Sequence, residues 1–179
     1  MKLNHVLVAF VCAAFLVGCK QEKTETKHES AIIEEITNVR IVLEMVVKKE
    51  DNFQVFYSEI PGEGYTQEQS KIINVKGSDS PQKIVFNLSD ELHPASFRLD
   101  FGDNKQQEPM EIKSFEFEYF GKKFTAKGTE FFKYFTVNES LVADTSKAIL
   151  TPQTAKKDYD PQCYSTEPML QAIHGMVPH

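Results

Sequence analysis

Val39-Arg40-Ile41-Val42-Leu43-Glu44-Met45-Val46-Val47-Lys48 is the stretch that decides the fold class. Val39, Ile41, Leu43, Met45 and Val47 alternate with Arg40, Val42, Glu44, Val46 and Lys48, and a period of two places the two sets on opposite sides of a pleated strand. Val42 and Val46 on the second side imply that this face is partly covered as well. Downstream, Glu50-Asp51-Asn52 predicts a turn, and Phe53, Val55 and Tyr57 begin a second strand. So short a polar connection predicts that the two strands pair as a hairpin.

The same rhythm continues through the chain. Pro61-Gly62-Glu63-Gly64 is a loop by composition; its Gly-x-Gly lacks the third glycine and the strand–turn–helix setting of a dinucleotide fingerprint. Lys71–Lys76 predicts a third strand, and Gly77-Ser78-Asp79-Ser80-Pro81 breaks it. Ile84, Phe86 and Leu88 then mark one strand, and after Pro94 Phe97, Leu99 and Phe101 mark another, with Arg98 and Asp100 on its opposite face. Gly102-Asp103-Asn104-Lys105 turns the chain into Glu111–Tyr119. There Phe115, Phe117 and Tyr119 oppose Ser114, Glu116 and Glu118, and Ile112 falls out of phase, which predicts a β-bulge before Phe115. Phe120-Gly121-Lys122-Lys123 is a tight connection into Phe124-Thr125-Ala126. Strands recurring at this spacing, punctuated by Gly, Pro and Asp, predict an antiparallel sandwich rather than βαβ units.

One segment departs from the β pattern. Phe131 and Phe135 are spaced i,i+4 behind Thr129, a residue able to cap, and predict a short helical segment near 129–136 over an end of the sandwich. Lys147–Thr151 is expected to be the last strand. After Pro152 the pattern dissolves into a tail, with Met169, Leu170 and Ile173 either a short amphipathic helix or part of a disordered end. The expected fold is therefore mainly β: a single antiparallel β-sandwich over residues 36–152, followed by a C-terminal tail over 153–179.

The chain before the sandwich has a different character. Val6–Val17 is uncharged, follows Lys2, and at twelve residues is too short for a bilayer core of about 30 Å. It closes on Leu16-Val17-Gly18-Cys19, which resembles the lipobox of bacterial lipoproteins. That resemblance implies a signal peptide over residues 1–18, a lipid on Cys19, and residence at the cell membrane or outer membrane with the domain in the periplasm or on the cell surface. Several acyl chains anchor stably where one does not, at about 0.8 kcal/mol per buried methylene. Lys20–Ser30 contains no aliphatic or aromatic residue and reads as a charged flexible tether, residues 19–35 in all, with His28 a solvent-exposed bystander.

Composition narrows the chemistry. The 179-residue chain carries a net charge of −6, which argues against nucleic acid as partner because phosphate binding needs a basic patch; the absence of Trp argues against a strong sugar-stacking site. Of three cysteines, Cys12 leaves with the signal peptide and Cys19 takes the lipid. Cys163 is left as a single thiol, open to an intermolecular bond, to reactivity, or to no role. No serine-nucleophile elbow, His-Glu-x-x-His or Cys-x-x-Cys motif is present, so no enzyme is expected. Glu116 and Glu118 share a strand face and read as an exposed acidic surface rather than a glycosidase pair. Asp100, Asp103 and Asn104 place three oxygen donors at a strand-to-turn junction. They are turn-forming residues first and part of a structural calcium shell second; no other cofactor is expected.

Arg98-Leu99-Asp100-Phe101-Gly102, followed by the strand holding Ile112, Phe115 and Phe117, resembles an element of jelly-roll, galactose-binding-like domains of bacterial envelope proteins, with Phe101 where those carry proline. The resemblance spans roughly Ile84–Tyr119 and implies a sandwich in a carbohydrate context. The expectation is a binding module for a glycan or another envelope component, with Tyr65 and the Asp100, Asp103 and Asn104 turn as candidate ligand loops. The alternative is an accessory interaction subunit of an envelope complex, held by edge strands or by the Met169–Ile173 segment.

Overall fold

The alternating run becomes β1 (Arg40–Val46), with Ile41, Leu43 and Met45 fully buried on one face. Ten further strands follow: β2 (Asp51–Ser58), β3 (Ser70–Val75), β4 (Gln82–Asn87), β5 (Ser96–Asp100), β6 (Met110–Tyr119), β7 (Lys122–Lys127), β8 (Phe135–Val137), β9 (Leu141–Asp144), β10 (Ile149–Pro152) and β11 (Gln162–Ser165). Two short helices, α1 (Phe131–Tyr134) and α2 (Glu167–His174), complete the fold. The computed structural model describes residues 39–89 and 91–177, all within one compact unit. The expected signal peptide, the expected lipidated Cys19, the expected tether and the start of the expected domain at residue 36 lie outside the described residues.

The strands form two antiparallel sheets. One runs β4-β1-β6-β10-β9 with β7 also on β6, and the other runs β3-β2-β5-β11-β8. The two orders run in step, so each strand of one sheet has its chain neighbour at the same place in the other. This is the expected antiparallel β-sandwich, wound as a rolled ribbon. Phe residues from both sheets meet in the core, Phe97 with Phe117 at 5.1 Å between ring centres and Phe115 with Phe135 at 4.8 Å.

This winding corrects the expected β1–β2 hairpin. The two strands do not pair; Val47–Glu50 carries the chain from one sheet to the other. The physical reason is Asp51, which is not a turn residue in solvent but is 5% exposed at the head of β2. Its Oδ1 accepts the backbone N–H groups of Asn52 (2.9 Å) and Asp103 (3.1 Å). Gln107 supports the same crossing, donating from Nε2 to Lys49 O at 3.0 Å and accepting the Lys49 N–H at 3.2 Å. Gly102 has φ +80° there, and a Cβ at that position would lie 1.8 Å from Asp51 Oδ1. Only glycine fits both demands.

Strand β6 shows the bulge expected from its sequence. Glu44 pairs with Ser114 and Met45 with Ile112, leaving Lys113 unopposed. The bulge also marks a change of neighbour on the other edge, from β10 at Met110 and Glu111 to β7 from Ser114 onward. The β6–β7 connection is a two-residue turn with positive φ at Phe120 (47°) and Gly121 (65°), the twist that such hairpins require. Phe120 adopts this backbone while its ring lies 4.3 Å from Tyr119 and stacks on His93.

The helical segment forms as expected, a 3-10 turn over Gly128–Glu130 running into α1, with Phe131 and Phe135 stacked at 4.7 Å. Its cap differs: Glu130 Oε2, not Thr129, takes the orphan Lys127 N–H at 3.0 Å. Residues 153–177 are not a tail. β11 is inserted between β5 and β8, α2 buries Met169 and Ile173, and the expected boundary at residue 152 is overturned. Lys147–Thr151 supplies β10, which is therefore not the last strand. Cys163 is 0% exposed in the core, and burial pushes its thiol well above the ordinary range, which makes it a poor nucleophile.

Asp51→Ala is expected to cost about 2 kcal/mol in urea denaturation by taking the carboxylate acceptor from the half-buried Asn52 and Asp103 N–H bonds. Gly102→Ala is expected to cost on the order of 3 kcal/mol, and the double variant less than the sum, because removing the carboxylate removes the clash. Burial holds the Asp51 carboxyl above its ordinary value, so the fold favours its protonated form. The wild-type advantage over Asp51→Ala is then greatest below the ordinary carboxylate pKa and shrinks as pH rises through the raised one. A simple sum in the double variant, or an advantage that grows with pH, would contradict this assignment.

Candidate functional site

The outer face of the five-stranded sheet carries an ordered grid of side chains. Pairing aligns Ile72, Gln54, Asp100 and Gln162 in one row and Ser70, Phe56, Arg98 and Tyr164 in the next. Alternation sends Phe53, Val55, Phe97, Leu99 and Cys163 of the same strands inward, to the core. Phe56 points outward yet is only 2% exposed. The Arg98 guanidinium covers it, 3.9 Å above the ring centre, and Tyr65 lies edge-on to it at 6.4 Å.

Arg98 is held from two directions. Its Nε and Nη2 donate to the two oxygens of Asp100, each at 2.8 Å, a bidentate pair with side chains only 19% and 14% exposed. The Tyr65 ring centre is 5.6 Å from the guanidinium carbon, and its hydroxyl donates to Ser96 Oγ at 3.1 Å. Tyr65 reaches this position from the Pro61–Gly64 loop, a turn closed by Glu63 N–H on Ile60 O at 3.2 Å. On the far side, Tyr164 stands 6.4 Å from Tyr65 and donates to Gln162, which donates to Asp160. A depression of about 240 Å³ beside the ion pair is bordered by Asn52, Gln54, Asp100, Asp103 and Asp160.

Burial raises the Asp100 carboxyl above its ordinary value despite the opposing pull of Arg98, and the nearby Asp160 adds to the rise. Burial also raises the Tyr65 and Tyr164 hydroxyls, so both remain protonated donors at neutral pH. The buried Tyr159 hydroxyl beneath Asp51 and Asp103 is pushed up to about 12 by the loss of water and by those two charges.

Of the residues singled out in the sequence, Tyr65 and Asp100 meet through Arg98, and Asp103 borders the same depression. Asn104 turns away, donating to Glu50 O at 2.8 Å and accepting the Gln106 N–H at 2.9 Å. Asp100 is committed to Arg98 and Asn104 to the backbone of Glu50 and Gln106, and no group of three or more His, Cys, Asp or Glu among the described residues is arranged to hold a metal ion. Glu116 and Glu118 lie on the other sheet, paired with Lys123 (2.6 Å to Glu116) and Arg40 (2.8 Å to Glu118). Arg40 holds the Glu118 carboxyl below its ordinary value. Sequence reasoning missed Phe56, Gln162 and Tyr164. The available signal was Phe56 itself, an aromatic residue out of phase with Phe53, Val55 and Tyr57.

A second concavity lies at the end of the sandwich. It is an apolar groove of about 520 Å³ between α2 and two loops, with Pro61, Pro94 and Ala95 on one wall and Leu170, Ile173 and Val177 on the other.

No protein-family model, curated protein or solved structure matches the chain. Among the described residues no helix is long and apolar enough to cross a membrane.

Arg98→Ala is expected to destabilise the protein by about 2 kcal/mol, because it uncovers Phe56 and strands a largely buried carboxylate. Arg98→Lys should recover only part of this, since an ammonium neither forks onto Asp100 nor stacks as a plane. NMR titration of the Asp100 carboxyl should show its pKa rising further in Arg98→Ala; an unchanged or lowered value would refute the coupling.

Proposed function

We propose that this chain is a lipid-anchored, non-enzymatic binding module of the bacterial envelope that holds a glycan on the outer face of its five-stranded sheet. The observation that carries the reading is the Arg98–Asp100 fork framed by Phe56, Tyr65 and Tyr164. A sandwich face turned to solvent ordinarily needs only polar side chains. Here a planar ion pair is locked among aromatic rings, next to Gln54, which donates to Gln67 and Ser70, and Asn52, which accepts from Asn74, so the polar groups sit at fixed positions and their remaining hydrogen-bonding capacity faces the hydroxyls of a sugar. The tyrosine rings offer apolar faces to a pyranose. Three carboxylates against one guanidinium favour a neutral or amino-bearing glycan over a uronic or phosphorylated one.

Binding accounts for these groups better than catalysis does. Asp100 is tied to Arg98, and Glu116 and Glu118 are neutralised by Lys123 and Arg40, which argues against these three carboxylates acting as acid or base. Support for the anchor is the Leu16–Cys19 motif with the charged segment behind it; an anchored module would reside at the cell membrane or outer membrane, in the periplasm or on the cell surface. The second reading, an accessory subunit of an envelope complex, is favoured by the apolar groove beside α2.

The test is an array of released envelope polysaccharides probed with the full chain. At least one neutral or aminated glycan should bind, and Tyr65→Ala and Tyr164→Ala should each weaken it about threefold to tenfold, the worth of one aromatic contact. Absence of binding, or affinity indifferent to both variants, would overturn the glycan reading. Cys19→Ser should abolish metabolic labelling with palmitate, and persistent labelling would overturn the anchor.

A further inference from the structure

We infer that the groove beside α2 is a docking site for a basic, apolar-faced helical segment of a partner protein. The inference deepens the second reading above and is independent of the glycan face, which uses other residues. Helix α2 turns Met169 and Ile173 into the core, and Met176 just after it is buried as well. Glu167, Leu170, Gln171 and His174, spaced i, i+3, i+4 and i+7, form one stripe along the groove. Leu170 sits at the middle of that stripe and is only partly buried. Pro61 and Pro94 form a stiff opposite wall, and Ile60, the residue before Pro61, is 54% exposed.

Charge selects the occupant. Glu167 lines the groove, Glu63 stands in the Pro61 loop, and Glu59 is fixed beside Pro94 by accepting the His93 N–H at 2.9 Å. Glu91 is exposed two residues before His93. Against these four carboxylates stand Lys122, whose Nζ donates to Gly175 O at 3.4 Å, and Lys133, whose carbonyl accepts the Thr166 hydroxyl just ahead of α2. An apolar trough with an acidic rim complements a segment that is apolar on one face and basic on its flanks, the helix-in-groove mode of recognition. The same rim would set acid against acid in a symmetric contact between two copies, and it would repel an anionic lipid surface.

Fluorescence anisotropy with the full chain tests this, using three labelled peptides: a leucine/lysine peptide with leucines at i, i+3, i+4 and i+7, its leucine/glutamate counterpart, and a serine/lysine peptide without leucines. The leucine/lysine peptide should bind, more weakly as salt rises, and the other two should bind about tenfold less tightly or not at all. Leu170→Asp should cut its affinity about tenfold. Glu63→Gln/Glu167→Gln, both at exposed positions, should cut it about threefold or more and flatten the salt dependence; glutamine keeps an oxygen that can accept from Gln171 Nε2, as Glu167 does at 3.2 Å, so circular dichroism should show the fold retained. Equal binding of the two leucine peptides, no binding of either, affinity unaffected by Leu170→Asp, or tighter uptake onto phosphatidylcholine vesicles than onto peptide would each overturn the inference. Glycan binding measured on the same variants should not change, which separates failure here from failure at the sheet face.

Discussion

Between Val47 and Asp51 the chain leaves one sheet for the other, and the rest of the architecture depends on that crossing. A polar connection of this length would ordinarily close a hairpin. It does not because Asp51 is drawn inward, where its carboxylate takes N–H groups from both its own strand and the Asp103 turn, and because Gln107 satisfies both backbone groups of Lys49. Once β1 and β2 occupy matching places in different sheets, β3 and β4 add on one side and β5 and β6 on the other. β10 with β11, and β9 with β8, then extend the two sheets in the same order. Gly102 lacks a side chain so that the Asp51 carboxylate can come this close.

The candidate site is a product of register. Arg98 lies opposite Phe56 on one side and Tyr164 on the other, and Asp100 lies opposite Gln54 and Gln162. A slip of one residue in β5 would turn Arg98 and Asp100 toward the core and bring Phe97 and Leu99 out to solvent. The large desolvation cost of a buried ion pair therefore opposes the same error that exposing the core opposes. Tyr65, supplied by a loop instead of a strand, closes the arrangement through its hydroxyl on Ser96 and its ring beside Phe56 and Arg98. Folding and the proposed binding face thus rely on one set of strand pairings.

Much of this was legible in the residues. Period-two alternation locates β1, β5 and β6, the phase break at Ile112 locates the bulge, and Phe120-Gly121 locates the two-residue turn. The i,i+4 spacing of Phe131 and Phe135 locates the helical turn. What periodicity does not carry is which sheet a strand joins, since that depends on side chains distant in sequence such as Asp51 and Gln107. Nor does it find β8, β9 and β11, which are three or four residues long and show too few alternations to stand out. For the same reason the region after Pro152 lacked a pattern although Cys163, Met169 and Ile173 are core residues. At the site, Tyr65 and Asp100 were readable as loop and turn residues, whereas the role of Arg98 required knowing that it covers Phe56.

The central claim is that the outer face of the five-stranded sheet, not the charged face of the other sheet, meets the ligand. Its most direct measurement is a backbone amide shift map of the isotope-labelled chain titrated with solubilised envelope polysaccharide. The expected shifts concentrate at Gln54, Phe56, Arg98, Asp100, Gln162 and Tyr164 and leave Glu116 and Glu118 unmoved. Shifts confined to Glu116, Glu118 and their neighbours, or to α2 alone, would contradict it.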